Sequence, residues 1–180
     1  MTATALVATL AACTPDEAPP GATAAGTPTP TATPVFATEA EALAAVETAY
    51  TGYTRASDAV AQSSGSEPER LTKWVTKDWW DVEISDAKAW RQSGERLQGR
   101  TRFFDLDIQR VTPTQSGVTV GAYVCVDISH TKLLNRSGAD ITPADRADVY
   151  ALELEFSSAT PATRLVLGRS EPWSNPSRCA

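Results

Sequence analysis

The chain has 180 residues, of which 42% are apolar, and a formal net charge of −6. That length fits a single folded domain with room for a tail. The negative balance, with no run of basic residues to neutralise phosphates, argues against a nucleic-acid-binding protein.

The N-terminal run, residues 1–12, is uncharged, apolar and rich in small residues. It is too short to span a bilayer permanently and long enough for the apolar core of a signal peptide. Leu10-Ala-Ala-Cys13 resembles the lipobox of bacterial lipoproteins. In that family the peptidase cuts before the cysteine, whose thiol carries a diacylglyceryl group, a palmitate-type anchor. The resemblance implies a signal peptide over 1–12, a lipidated Cys13 and a protein held on the extracytoplasmic face of the cell membrane. One departure from the family pattern is the absence of Lys or Arg before the apolar run. The expectation is that the true start lies further upstream and supplies the missing charge. The competing reading is a disordered Ala/Thr leader with an incidental cysteine.

Residues 14–37 hold half of the twelve prolines, interleaved with Thr, Ala and Gly. This composition cannot bury a core and predicts an extended tether, which with Cys13 makes up residues 13–37. At about 3.1 Å per residue it would reach roughly 70 Å.

The folded domain is expected over residues 38–180. Thr38-Glu-Ala-Glu41 has capping-box spacing. Leu43, Val46, Tyr50, Tyr53 and Val60 follow as one apolar stripe, which predicts a helix to about Gln62. Ser63-Ser-Gly-Ser66 breaks it. Ser66-Glu-Pro-Glu69 predicts a second capped helix with Leu71, Trp74 and Val75 buried. A third helix is expected from Lys77 to about Gln92. Four of the five tryptophans lie between residues 74 and 90. Such a cluster closes a small core or lines a cavity. In the second case Tyr53, Trp74, Trp79, Trp80 and His130 are the candidate pocket for a small apolar ligand.

Strands follow. Phe104, Leu106 and Ile108 alternate with polar residues, and Thr112 to Gly117 is expected as a turn. The longest alternation puts Val118, Val120, Ala122, Val124, Val126 and Ile128 on one face. Thr119, Gly121, Tyr123, Cys125, Asp127 and Ser129 take the other. This is a half-buried central antiparallel strand, with His130 at its end. Lys132 to Arg146 reads as a turn-rich connection. Tyr150, Leu152, Leu154 and Phe156 mark another strand, and Arg164 to Gly168 the last. If Cys13 is lipidated, Cys125 and Cys179 remain as an even pair in an oxidising compartment, which predicts a disulfide; the alternative is two buried free thiols.

Helices followed by a four-stranded antiparallel meander define an α+β fold. The order resembles the nuclear transport factor two-like family, the cystatin-like cone shared with ketosteroid isomerase and polyketide cyclases. More narrowly it resembles actinobacterial exported lipoproteins of that fold. The features that carry the likeness are the Leu10–Cys13 box, the Pro/Thr tether, the capped helices, the Val124–Asp127 strand and the tail with Trp173 and Cys179. The resemblance implies helices closing over a concave sheet face and leaving a pocket between them.

An isomerase-like member needs a carboxylate base inside the cone. Asp127 is the natural candidate, but it alternates with the valines and should point away from the helices. His130 shares the valine face without a partner nominated by the sequence. No zinc spacing, phosphate loop or nucleophile motif occurs, so neither metal nor cofactor is expected. The leading expectation is a tethered, non-catalytic domain that binds a protein, a wall component or a small apolar ligand. The alternatives are a cone-fold isomerase- or cyclase-like enzyme acting on a hydrophobic small molecule, and an accessory domain in wall synthesis or secretion.

Overall fold

The computed structural model describes residues 34–159, 161–174 and 176–179. The expectations for the signal peptide, Cys13 and nearly all of the tether lie outside them. The described residues belong to one unit, Ala32–Ala180. It is an α+β fold in which two helices precede a curved, open, four-stranded antiparallel sheet.

Helix α1 runs Glu39–Gln62. Thr38 caps it by accepting a hydrogen bond from the Glu41 amide at 3.1 Å. The Glu41 carboxylate reaches back one residue further than a standard capping box, to the Ala37 amide at 2.8 Å. Val35 and Phe36 pack against the core, so the folded unit starts before Thr38.

The expected second capped helix is instead a single 3-10 turn, Pro68–Leu71. Its N-cap is Glu67 in a left-handed conformation, with no capping side chain, and Glu67 pairs with Arg70. Ser66 therefore sits one residue too early to cap. Helix α2 spans Lys77–Ser93, capped by Thr76 and closed by Gly94. None of the described helices is long and apolar enough to cross a membrane.

Strands β1 (Arg96–Gln98) and β4 (Lys132–Leu134) form a small antiparallel ribbon. The main sheet has the order β2-β3-β5-β6, with β2 at Arg102–Thr114, β3 at Gly117–Asp127, β5 at Val149–Ser158 and β6 at Leu165–Pro172. The valines of β3 face the helices as expected, and Val120, Ala122 and Val124 pair with Phe156, Leu154 and Leu152. The strand stops at Asp127, short of His130. The Asp127 carboxylate accepts from the Ser129 amide at 2.8 Å and turns the chain there.

Two expectations for β2 change. A bulge lies between Phe104 and Asp107, with Asp105 at φ +48°. It reverses the alternation, so Phe103, Leu106 and Ile108 pack against the core while Phe104 stays 41% exposed. The strand also continues through Pro113 to Thr114. A proline is tolerated there because β2 is an edge strand, whose outward amide has no ladder partner to lose.

The core between α1 and the sheet is filled by Val46, Ala49, Tyr50, the β3 valines, Leu154, Phe156 and Leu167. A second cluster of Ala56, Val60, Leu71 and Ala87 joins the two helices.

On the opposite sheet face, Cys125 and Cys179 form the expected disulfide, 54 residues apart with Cα atoms 5.6 Å apart. Trp173 stacks on Tyr123 with ring centres 4.1 Å apart. The Arg178 guanidinium lies 5.5 Å from the Tyr123 ring centre and 3.4 Å from the Asp107 carboxylate.

Candidate functional site

Two places gather chemically capable groups: a buried seam between the helices, and an open cleft where α1 meets the start of β2.

The seam is built on Glu83, which sequence reading missed. Its carboxylate is 7% exposed on α2. One oxygen, Oε1, accepts from the Tyr53 hydroxyl at 2.8 Å and from the Trp79 indole at 2.9 Å. Burial pushes the Glu83 carboxyl above its ordinary value; the two hydrogen bonds oppose that shift and the Asp86 charge adds to it. Burial, with the Glu83 charge beside it, also raises the Tyr53 hydroxyl. A signal for this contact existed. Buried Tyr and Trp need a partner for their polar ends, and Glu83 follows Trp79 by four residues on one helix face.

The other candidate pocket residues do not converge. Trp74 leans against the second cluster, and the six-membered end of its ring lies against Gly52. A Cβ at Gly52 would come within 2.2 Å of that ring, so only glycine permits the approach. Trp80 packs against both clusters. Tyr53, Trp79 and Trp80 thus close the core, and Trp74 lines an open groove beside Arg70 and Lys73. His130 is exposed and lies elsewhere, in the cleft.

The cleft has a volume of 730 Å³, and its walls include Arg55, Asp58, Arg100, Arg102, Phe103 and His130. Asp58 is 9% exposed. Its two oxygens accept from the Thr101 amide at 3.0 Å and the Thr101 hydroxyl at 2.8 Å. Burial raises its carboxyl; the Thr101 hydrogen bonds and the Arg100 charge pull it down. The loop is fixed further by Gln62, which donates to the Gly99 carbonyl at 2.7 Å. Gly99 has φ +98°, and a Cβ there would meet the His130 carbonyl at 2.2 Å. Its lack of a side chain lets the loop bearing Arg100 touch the loop bearing His130. Among the described residues, Arg55, Arg100 and Arg102 form no ion pair. No sequence signal marks this site, because the three arginines come from α1, the β1–β2 turn and β2.

Asp127 lies on the sheet face away from the helices, as the alternation predicts. The Ser129 hydrogen bonds hold its carboxyl below the usual range. Asp127 and His130 therefore share no enclosed space with the aromatic seam.

No model of a known protein family matches the chain, and no curated protein sequence does. Among solved structures, the intermembrane space region of the chloroplast protein ARC6 superposes with a TM-score of 0.51 at 12% identity, over 72% of this chain and 95% of that one. A conserved protein from Planctomyces limnophilus gives 0.38 at 11% identity, over 72% of this chain and 96% of that one. A de novo designed β-sheet protein gives 0.31 at 16% identity, over 76% and 91%. The ARC6 likeness is one of fold.

Proposed function

We propose that the chain is a binding domain of the cone type, held on the outer face of a membrane by a lipid on Cys13 and a Pro/Thr-rich tether. The observation that carries this reading is the Cys125–Cys179 disulfide. Disulfides persist in oxidising, extracytoplasmic compartments, and this one uses the two cysteines that remain once Cys13 is given to the lipid. The filled space between helices and sheet supports the same reading, since it leaves the open surfaces for recognition. By its name, the ARC6 region of similar fold also sits in a space between membranes. The partner is a protein, a wall component or a small molecule, and a role as an accessory domain in wall synthesis or secretion is one form of the same reading. The isomerase-like alternative loses its nominated base, because Asp127 points away from the helices and is held ionised by its turn.

Intact-mass measurement on the membrane fraction of the native host tests the anchor. The expected species lacks residues 1–12 and carries a diacylated Cys13, and Cys13→Ala should release the protein to the soluble fraction. Recovery of the wild type as a soluble protein with its N-terminus intact would overturn the proposal.

A further inference from the structure

We propose that the cleft between α1 and the start of β2 binds the phosphate group of a small organic phosphate or a phosphate-bearing headgroup, through Arg55, Arg100 and Arg102.

The first ground is charge. The chain has 22 acidic and 16 basic residues, yet this cleft has the opposite sign. Three arginines and one carboxylate, Asp58, line it, and that carboxylate is already engaged by Thr101. Four arginines elsewhere have carboxylate partners: Arg110 pairs with Glu155, Arg146 with Asp148, Arg169 with Glu171 and Arg178 with Asp107. Asp58 acts on Arg100, and Asp127, paired across the strands with Arg102, acts on Arg102, so the three cations still outnumber the two carboxylates near them; a bound anion offsets the charge that remains.

The second ground is construction. The arginines come from three separate elements and meet only in the fold. The loop that carries Arg100 is pinned by Asp58, by Gln62 and by the close contact of Gly99 with His130. Guanidinium forks on a fixed frame suit the oxygens of a phosphate. A phosphate presents oxygens to forks arriving from several directions, which a planar carboxylate does not.

The third ground is size. A cleft of 730 Å³ exceeds a bare ion and has an apolar wall in Phe103, so it has room for the organic body that carries the phosphate. The proposal rests on reading the domain as a binding module and is independent of the anchor. A soluble protein that binds phosphate would defeat the anchor alone; an anchored protein that does not would defeat the cleft alone.

His130 is the only histidine of the chain and stands in the wall of the cleft, so its ring proton resonances report from the site without assignment. The full chain is titrated at fixed pH and ionic strength with inorganic phosphate and with glycerol 3-phosphate, and with chloride as the control. A parallel arm uses vesicles containing phosphatidic acid, against phosphatidylcholine alone. Saturable shifts with the phosphates and none with chloride are expected. The double variant R100Q/R102Q should weaken binding about tenfold or more. Arg55→Gln, on a different element, should weaken it as well, so that a disturbed β1–β2 turn cannot explain the loss. Arg110→Gln, outside the cleft, should leave it unchanged. Saturation by the soluble phosphates or by the acidic vesicles supports the site, and the tighter of the two identifies the source. The absence of saturation in both arms, or equal responses from wild type and all variants, would overturn it.

Discussion

The two faces of β3 are held down in different ways. The inner face offers Val118, Val120, Val124 and Val126 to two helices and to the apolar residues of β5 and β6, and every one of these valines is at most 3% exposed. Burial on that scale orders the face without further help. The outer face offers Tyr123 and Cys125 to a tail running from Trp173 to Cys179. Chain ends fray unless tied down. Here the tie is covalent, reinforced by one aromatic stack and one buried-edge arginine. A large apolar contact tolerates the loss of any one directional bond; a short strap does not.

This contrast sets the expected order of effects. Phe156, fully buried opposite Val120, should be the most costly position: Phe156→Ala is expected to lower stability by about 3–5 kcal/mol, read from urea unfolding. Replacing both Cys125 and Cys179 by alanine should remove about 2–4 kcal/mol, mainly by freeing a long loop in the unfolded chain. Hydrogen exchange separates the two faces. In the cysteine variant the Trp173 amide, which donates to the Ala151 carbonyl, should lose protection while the β3–β5 amides keep theirs. Equal loss in both places would show that the strap supports the whole sheet.

What could be read in the sequence divides along the same line. Regular alternation and helical spacing are local, so α1, α2, the inner face of β3 and the strand through Leu152, Leu154 and Phe156 were legible. The disulfide followed from counting cysteines. Phe104 was misplaced because one residue with positive φ, Asp105, reverses a strand's alternation, and no composition rule marks it. The Ser66 capping box failed because the 3-10 turn takes Glu67 as its cap. Glu83 and the arginine cleft were missed for a different reason. Both are made by residues remote in sequence that become neighbours only once the chain is folded, and each of those residues alone reads as an ordinary solvated charge.

A smaller effect is expected where the helices meet. Gly52→Ala places a methyl group inside the space of the Trp74 ring and should cost about 1–3 kcal/mol as that ring is displaced. Near-ultraviolet circular dichroism should change with it. Because Trp74 belongs to the cluster between the helices, hydrogen exchange along β3 should be unaffected; a loss there would mean that the inner face depends on the helix pair rather than on the sheet's own packing.

The smallest effect is a difference in response to pH. Glu83 on the helix side and Asp127 on the outer face are shifted in opposite directions. Burial raises the Glu83 carboxyl, so the folded chain holds that proton more tightly than the unfolded chain, whose ordinary value is 4.5. Its contribution to stability is complete below that value and is lost as pH rises through the higher folded value. Asp127 is lowered by its Ser129 hydrogen bonds, so its contribution is present above 3.8 and is lost as pH falls through the lower folded value. Glu83→Gln keeps an acceptor for Tyr53 and Trp79 and removes the ionisation, leaving Asp58 and Asp127 unchanged in both proteins. The stability of the Gln variant relative to wild type should therefore improve as pH rises above 4.5 and level off once the higher folded value is passed. A difference that stays flat as pH rises above 4.5 would mean that water reaches Glu83 freely. The seam would then be wet, and the division between a dry helix side and a solvated outer side would not extend to α2.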